Sequence, residues 1–246
     1  MKFLADLHTH TISSGHAYST IQEMAKGASD KGLEMLAMTD HGPKMPGAPH
    51  LYHFGNLRAL PEEIHGVEIL KGVEANILDQ DGNIDVPEYF QRNLDIVLGG
   101  FHYLCFDPGS VEENTKAAIN AMKNSKIDIL VHPGNPEFLI DPEKVVKAAK
   151  EHNVLIEINN SSLTHGGSRK GSFENCLEFA KEIVKNDWKV SLGSDAHISY
   201  DVGNFEKAYG LIENVGLTKD HIINTDIAKI KEFLRTRNRA RYLEIK

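Results

Sequence analysis

Short apolar runs recur about every thirty residues along this chain, the spacing of strand–helix units, and each ends near a side chain that can bind a metal. The first leads into Asp6-Leu7-His8-Thr9-His10, with His16 shortly after. Later ones end in Thr39-Asp40-His41, Gly72-Val73-Glu74, Gly100-Phe101-His102, Val131-His132-Pro133 and Ser194-Asp195-Ala196-His197. Strand-like segments cover 2–7, 33–39, 67–73, 95–101, 127–131, 154–158 and 189–192. Helix-like segments cover 20–31, 111–124, a stretch from about Pro142, 173–186, 205–215 and 226–237. Ser19 or Thr20 suits the N-cap of the first helix, and proline at 142 suits a first turn. An Asp81-Gly82 turn marks a small hairpin behind the third strand. Residues 42–55, rich in Pro and Gly, form the longest irregular stretch.

Strands alternating with helices predict βαβ units and a parallel sheet. Seven such units without a break in composition favour one α/β domain over 1–246, a distorted (β/α)7 TIM-like barrel. An open dinucleotide-binding sheet would place a glycine-rich turn after its first strand, and here that turn reads His8-Thr9-His10. Every candidate ligand lies at the C-terminal end of its strand, where α/β barrels build active sites.

Composition narrows the function classes. The chain is 41% hydrophobic and 25% charged, enough apolar content for a core. A net charge of -8 without a basic stripe argues against nucleic acid as the main partner. Cys105 and Cys176 form no CxxC pair and are expected to be reduced thiols. The apolar start of the chain is too short for a secretory segment, and no run approaches the roughly 18 apolar residues of a membrane span. A soluble cytoplasmic protein is expected.

Seven of the thirteen histidines sit in these motifs: His8, His10, His16, His41, His102, His132 and His197. Residues two apart on a strand face the same way, so His8 and His10 can reach one ion, as can Asp195 and His197. Asp6 shares that parity and could orient a histidine ring; Asp40, beside His41, could do the same. Imidazole and carboxylate without thiolate suit Zn, with Mn or Fe as alternatives, better than Ca or Mg. Seven histidines with Glu74 and Asp195 are too many for one tetrahedral ion, so two or three divalent ions sharing a bridging carboxylate are expected.

These motifs resemble those of the PHP (polymerase and histidinol phosphatase) superfamily, and over nearly the whole chain those of its YcdX-type phosphatases. Further matches are His16-Ala17-Tyr18-Ser19-Thr20, Ala48-Pro49-His50, His132-Pro133-Gly134-Asn135-Pro136 and Glu157-Ile158-Asn159-Asn160-Ser161-Ser162. The resemblance implies a trinuclear site: His8, His10, Glu74 and Asp195 on one ion, His16, His41 and His197 on a second, and bridging Glu74 with His102 and His132 on a third. It also implies a homo-oligomer, a trimer. The loop 163–171 carries an added Gly-Gly relative to that branch.

The leading reading is hydrolysis of a small phosphate monoester by a metal-bound hydroxide, with Glu74 and Asp195 as catalytic carboxylates. Arg169 and Lys170 could clamp the phosphate. His50 and His53 lie in the 42–55 loop, a flap over the site, where either could protonate the leaving group; His50 is the candidate acid and His53 a substrate contact. A phosphodiesterase or nuclease acting on nucleic-acid ends is the rival enzyme, and a metal-stabilised binding module the non-catalytic alternative.

Overall fold

The computed structural model describes residues 1–124, 127–164 and 169–243. Eight strands lie in one sheet: β1 Ala5–Thr9, β2 Met35–Met38, β3 Glu63–Ile64, β4 Val67–Asn76, β5 Ile96–Gly100, β6 Ile129–Leu130, β7 Leu155–Asn159 and β8 Val190–Gly193. Seven of them are parallel neighbours in the order β1-β2-β4-β5-β6-β7-β8, the expected barrel order. The helices are α1 Ile21–Asp30, α2 Leu51–Asn56, α3 Glu88–Gln91, α4 Val111–Asn124, α5 Pro142–Glu151, α6 Ser172–Asn186, α7 Glu206–Val215 and α8 Ile227–Thr236.

Local chemistry sets several boundaries. Thr20 caps α1 in a reciprocal box: Glu23 N–H donates to Thr20 Oγ1, and Thr20 N–H to Glu23 Oε2. Asp141 caps α5, with proline in its first turn. The Asp81-Gly82 hairpin forms, Ile77 bridging Ile84 across it. Three pieces were not foreseen, the short helix α3 among them. β3 pairs antiparallel with the start of β4, and at two residues it is too short to show alternation. The stretch expected to be irregular contains the start of α2.

Ala5, Leu7, Met35, Ala37, Leu70, Ile96, Leu98, Ile129, Val131 and Leu155 fill the barrel, and Ile230, Phe233 and Leu234 of α8 pack into the same cluster. The opposite strand faces, Val73, Val97, Ile156 and Ile158 among them, pack against the surrounding helices. Closure between β1 and β8 uses two devices. At the C-terminal ends the backbones meet directly, Asp195 N–H donating to His8 O (3.0 Å) and His10 N–H to Ala196 O (2.9 Å). Further down, the buried Asn224 side chain bridges the two strands. Its Nδ2 donates to Ala5 O and Leu192 O, both at 2.9 Å, and its Oδ1 accepts from Leu192 N at 2.7 Å. Among the described residues, no helix is long and apolar enough to cross a membrane.

Candidate metal centre

The polar layer begins where the apolar filling stops. Glu74, near the end of β4, is wholly buried and surrounded by histidine rings. Its Oε2 lies 3.4 Å from His8 Nε2, 3.4 Å from His10 Nε2 and 2.7 Å from His41 Nδ1. Its Oε1 lies 3.0 Å from His102 Nε2 and 2.7 Å from His132 Nε2. Asp195 Oδ1 is 3.2 Å from His10 Nε2 and 3.7 Å from His8 Nε2. His16 and His197 complete the ring cluster: His16 stacks 5.0 Å from His41, and His197 lies 4.4 Å from His10.

The sheet achieves this convergence by breaking its own regularity. A register shift between Asp6 and Thr9 interrupts the alternation of β1. Ala5 and Leu7 face the barrel interior, yet His8 turns into the same lumen. Asp6 is thereby left on the other side, which corrects the expectation that it orients a ring. Its carboxylate accepts from the backbone N–H groups of Ser194 (3.1 Å) and Gly203 (2.8 Å), and burial raises its pKa. His132 and Asp195 sit at φ 35° and 57°, values that L residues seldom adopt and that recur at functional sites.

Two hydrogen-bond systems fix which nitrogen of His8 and His10 carries a proton. Glu157 Oε1 lies 2.7 Å from His8 Nδ1, and its Oε2 accepts from His132 N (2.8 Å) and Asn159 Nδ2 (3.1 Å). A carboxylate can only accept here, so His8 Nδ1 bears hydrogen and Nε2 faces the pocket. Gly193 makes room for this pair, since a Cβ at that position would overlap Glu157 and crowd His8. On the other flank Ser14 Oγ donates to Asp40 Oδ1 (2.7 Å) and is left to accept from His10 Nδ1 at 3.1 Å. His10 Nε2 is therefore also a lone pair aimed inward. Asp40 thus supports His10 through Ser14, as its place beside His41 suggested. Glu157 was visible in the sequence only within a longer motif; its position at the end of β7, two residues before Asn159, is the signal that it faces the lumen.

The donor set fits divalent cations. His8 Nε2, His10 Nε2, Glu74 Oε2 and Asp195 Oδ1 lie 3.1–3.7 Å apart in the pairs measured. Zinc bonds of roughly 2.0–2.2 Å give a tetrahedron with edges of about 3.4 Å. His41 Nδ1 and Glu74 Oε2 are 2.7 Å apart, but both are buried and neither makes a hydrogen bond; His102 Nδ1 is likewise unpartnered. Among the described residues, three overlapping groups could each hold an ion: His8-His10-Glu74, His41-Glu74-His102 and His10-His41-His197.

Electrostatics point the same way. Burial opposes ionisation of Glu74, but His102, His41 and His8 hold its pKa well below the usual range; His8 and Arg169 do the same for Asp195. Burial, with His41 and His197 nearby, pushes His10 down to about 3, and burial with Arg169 takes His132 to about 3. His8 is the exception. Burial disfavours its charge, yet Glu157, Glu74 and Asp195 keep its pKa well above normal. The carboxylates of the pocket call for positive charge.

The PHP domain family model matches residues 6–166, more than half of the chain. The chain belongs to the PHP domain family. A probable phosphatase of Thermoanaerobacter sp. is 58% identical over 240 residues, covering 97% of each chain. Another, from Acetivibrio thermocellus, is 55% identical over 235 residues, covering 96% of each. Solved structures share the fold at lower identity. Histidinol phosphate phosphatase from Lactococcus lactis, in complex with zinc, L-histidinol and phosphate, has a TM-score of 0.57 at 15% identity, over 87% of this chain and 94% of that one. A chain in the structure of archaeal ribonuclease P with mature tRNA has a TM-score of 0.63 at 16%, over 95% and 91%. These two likenesses establish the fold alone.

In this PHP chain the candidate substrate residues are dispersed. Arg169 reaches the centre, its Nη1 donating to Asp195 Oδ2 (2.8 Å) and Ser162 Oγ (3.3 Å). Lys170 is exposed. His50 is exposed at the start of α2, where its Nδ1 accepts from Tyr52 N (3.2 Å). His53 lies 3.3 Å from Asp40 Oδ2. In the longer loop 163–171, residues 165–168, His165 included, lie outside the described residues. Both cysteines are free, with thiol pKa values raised by burial to about 11 at Cys105 and about 12 at Cys176.

Proposed function

We propose that this protein is a metal-dependent phosphatase that hydrolyses small phosphate monoesters at a trinuclear centre, most readily filled by zinc. The ions would be held by His8, His10, His16, His41, Glu74, His102, His132, Asp195 and His197, with Glu74 shared between two. The observation that carries this reading is the convergence of buried acceptor atoms around Glu74, a geometry suited to cations and left open on its His16 and His197 side. Bound ions would supply positive charge to the phosphoryl oxygens and a water acidic enough to lose its proton near neutral pH.

The remaining chemistry belongs to the chain. Glu157 and Ser14 keep hydrogen on Nδ1 of His8 and His10, so neither ring turns an N–H toward the cationic pocket. Arg169 reaches Asp195 and Ser162 through Nη1, and its guanidinium would offer further N–H donors to a phosphate oxygen. His50 accepts at Nδ1 from Tyr52 N and so carries its N–H at Nε2, and it is the residue proposed to protonate the leaving oxygen. Closed structural zinc sites are typically rich in cysteine, unlike this donor set.

The test is turnover of a phosphomonoester panel beside a single-stranded DNA digest, with elemental analysis of the same preparation. The expected result is two to three equivalents of metal per chain, monoester hydrolysis abolished by chelation, and no DNA cleavage. Metal at or below one equivalent after reconstitution refutes the multinuclear reading, and DNA cleavage without monoester turnover favours the nuclease.

A further inference from the structure

The geometry points to His53 as a positioning residue: it seats α2 on Asp40 and, through Ser14, aims His10 at the metal pocket, and it does not touch substrate. This rests on the metal-centre reading above.

The chain of contacts is continuous. Asp40 Oδ1 accepts from Thr11 N and Ser14 Oγ, both at 2.7 Å, and its Oδ2 accepts from Thr11 Oγ1 at 2.8 Å. A carboxylate offers about four acceptor positions. His53 Nε2, itself buried, lies 3.3 Å from Oδ2 as a close polar contact outside hydrogen-bond geometry. Ser14 Oγ, its own hydrogen committed to Asp40, accepts from both His10 Nδ1 (3.1 Å) and His41 N (3.2 Å). One carboxylate therefore sets the orientation of the serine that orients one candidate ligand and anchors the backbone of another. Thr11, Ser14 and Asp40 are buried, so no bulk water stands ready to replace a lost donor.

His53 is the only one of these groups that comes from α2, in the flap stretch. One edge of its ring meets Asp40. It also lines a surface groove of about 930 Å³ between α2 and α3, shared with Tyr52, Arg58, Tyr89 and Phe90.

Groups that hydrogen-bond metal-binding histidines are worth about 10- to 100-fold in metal affinity, and His53 acts two contacts further out, through Asp40 and Ser14, so a loss of about three- to tenfold is expected. Full-length protein carrying H53A or H53Q is compared with wild type in two measurements. Zinc retention is titrated against a competing chelator, and steady-state kinetics are run on an aryl phosphate with zinc saturating. H53A should release zinc about three- to tenfold more readily while KM stays within about twofold, and H53Q, whose amide N–H can reach Asp40, should recover most of the loss. If H53A does not fold, H53F, which keeps a ring but offers no N–H, takes its place with the same expectations. A raised KM with unchanged zinc retention makes His53 a substrate contact and overturns the proposal; unchanged values in both measurements overturn it too. A wild type that binds no zinc instead overturns the metal-centre reading, a result distinct from equal zinc binding by wild type and variant.

Discussion

Replacing Glu157 by glutamine tests whether the pocket is set up by hydrogen-bond direction or by shape alone. The substitution preserves volume and removes one acceptor. In the native protein the two carboxylate oxygens face three donors, His8 Nδ1, His132 N and Asn159 Nδ2. A glutamine amide can turn its oxygen toward only one group. If the oxygen faces His132, the amide NH2 confronts His8 Nδ1, and His8 must move its hydrogen to Nε2, where it blocks the metal position. If the oxygen faces His8, the NH2 confronts the His132 N–H and leaves a buried donor unpaired. Either outcome costs about 1–3 kcal/mol for an unsatisfied buried group, and at 1.4 kcal/mol per tenfold that is roughly 5- to 150-fold. E157Q should therefore weaken metal binding by about 10- to 100-fold, in line with other carboxylate–histidine pairs. Activity should return at high metal, and circular dichroism should stay native-like. The assay is chelator competition with elemental analysis, followed by kcat/KM against metal concentration. Metal affinity within twofold of wild type would refute the directional argument.

Two further substitutions probe the rim and the barrel seam. Arg169→Ala should lower kcat/KM for a phosphomonoester about ten- to a hundredfold, since a charge-assisted contact is worth roughly 1.5–3 kcal/mol, without loss of metal; unchanged kcat/KM would mean the guanidinium serves only Asp195. Asn224→Ala removes three buried hydrogen bonds between β1 and β8 at about 1 kcal/mol each. Thermal unfolding should fall by roughly 6–12 °C for a chain of this size, with metal stoichiometry unchanged, and a shift under 2 °C would show that the backbone contacts alone close the barrel.

The sequence by itself determined the architecture and which candidate donors stand at the strand ends. Alternating strand and helix periods recur throughout, and a barrel of parallel strands puts every strand's C-terminal end at one rim, so His8, His41, Glu74, His102, His132 and Asp195 were expected to gather there. Tertiary structure decided how they converge. The β1 register shift, which no periodicity announces, takes Asp6 out of the pocket and brings His8 in. Glu157, an ordinary residue in its own segment, becomes the group that places a hydrogen on His8 because separate strands bring them within 2.7 Å, while the turn after β1 folds Ser14 back to within 3.1 Å of His10. His53 comes within 3.3 Å of Asp40 only in the folded chain. Strand pattern is encoded over neighbours in sequence, whereas the direction of a buried hydrogen bond depends on which distant acceptor lies opposite, and only the closed barrel settles that.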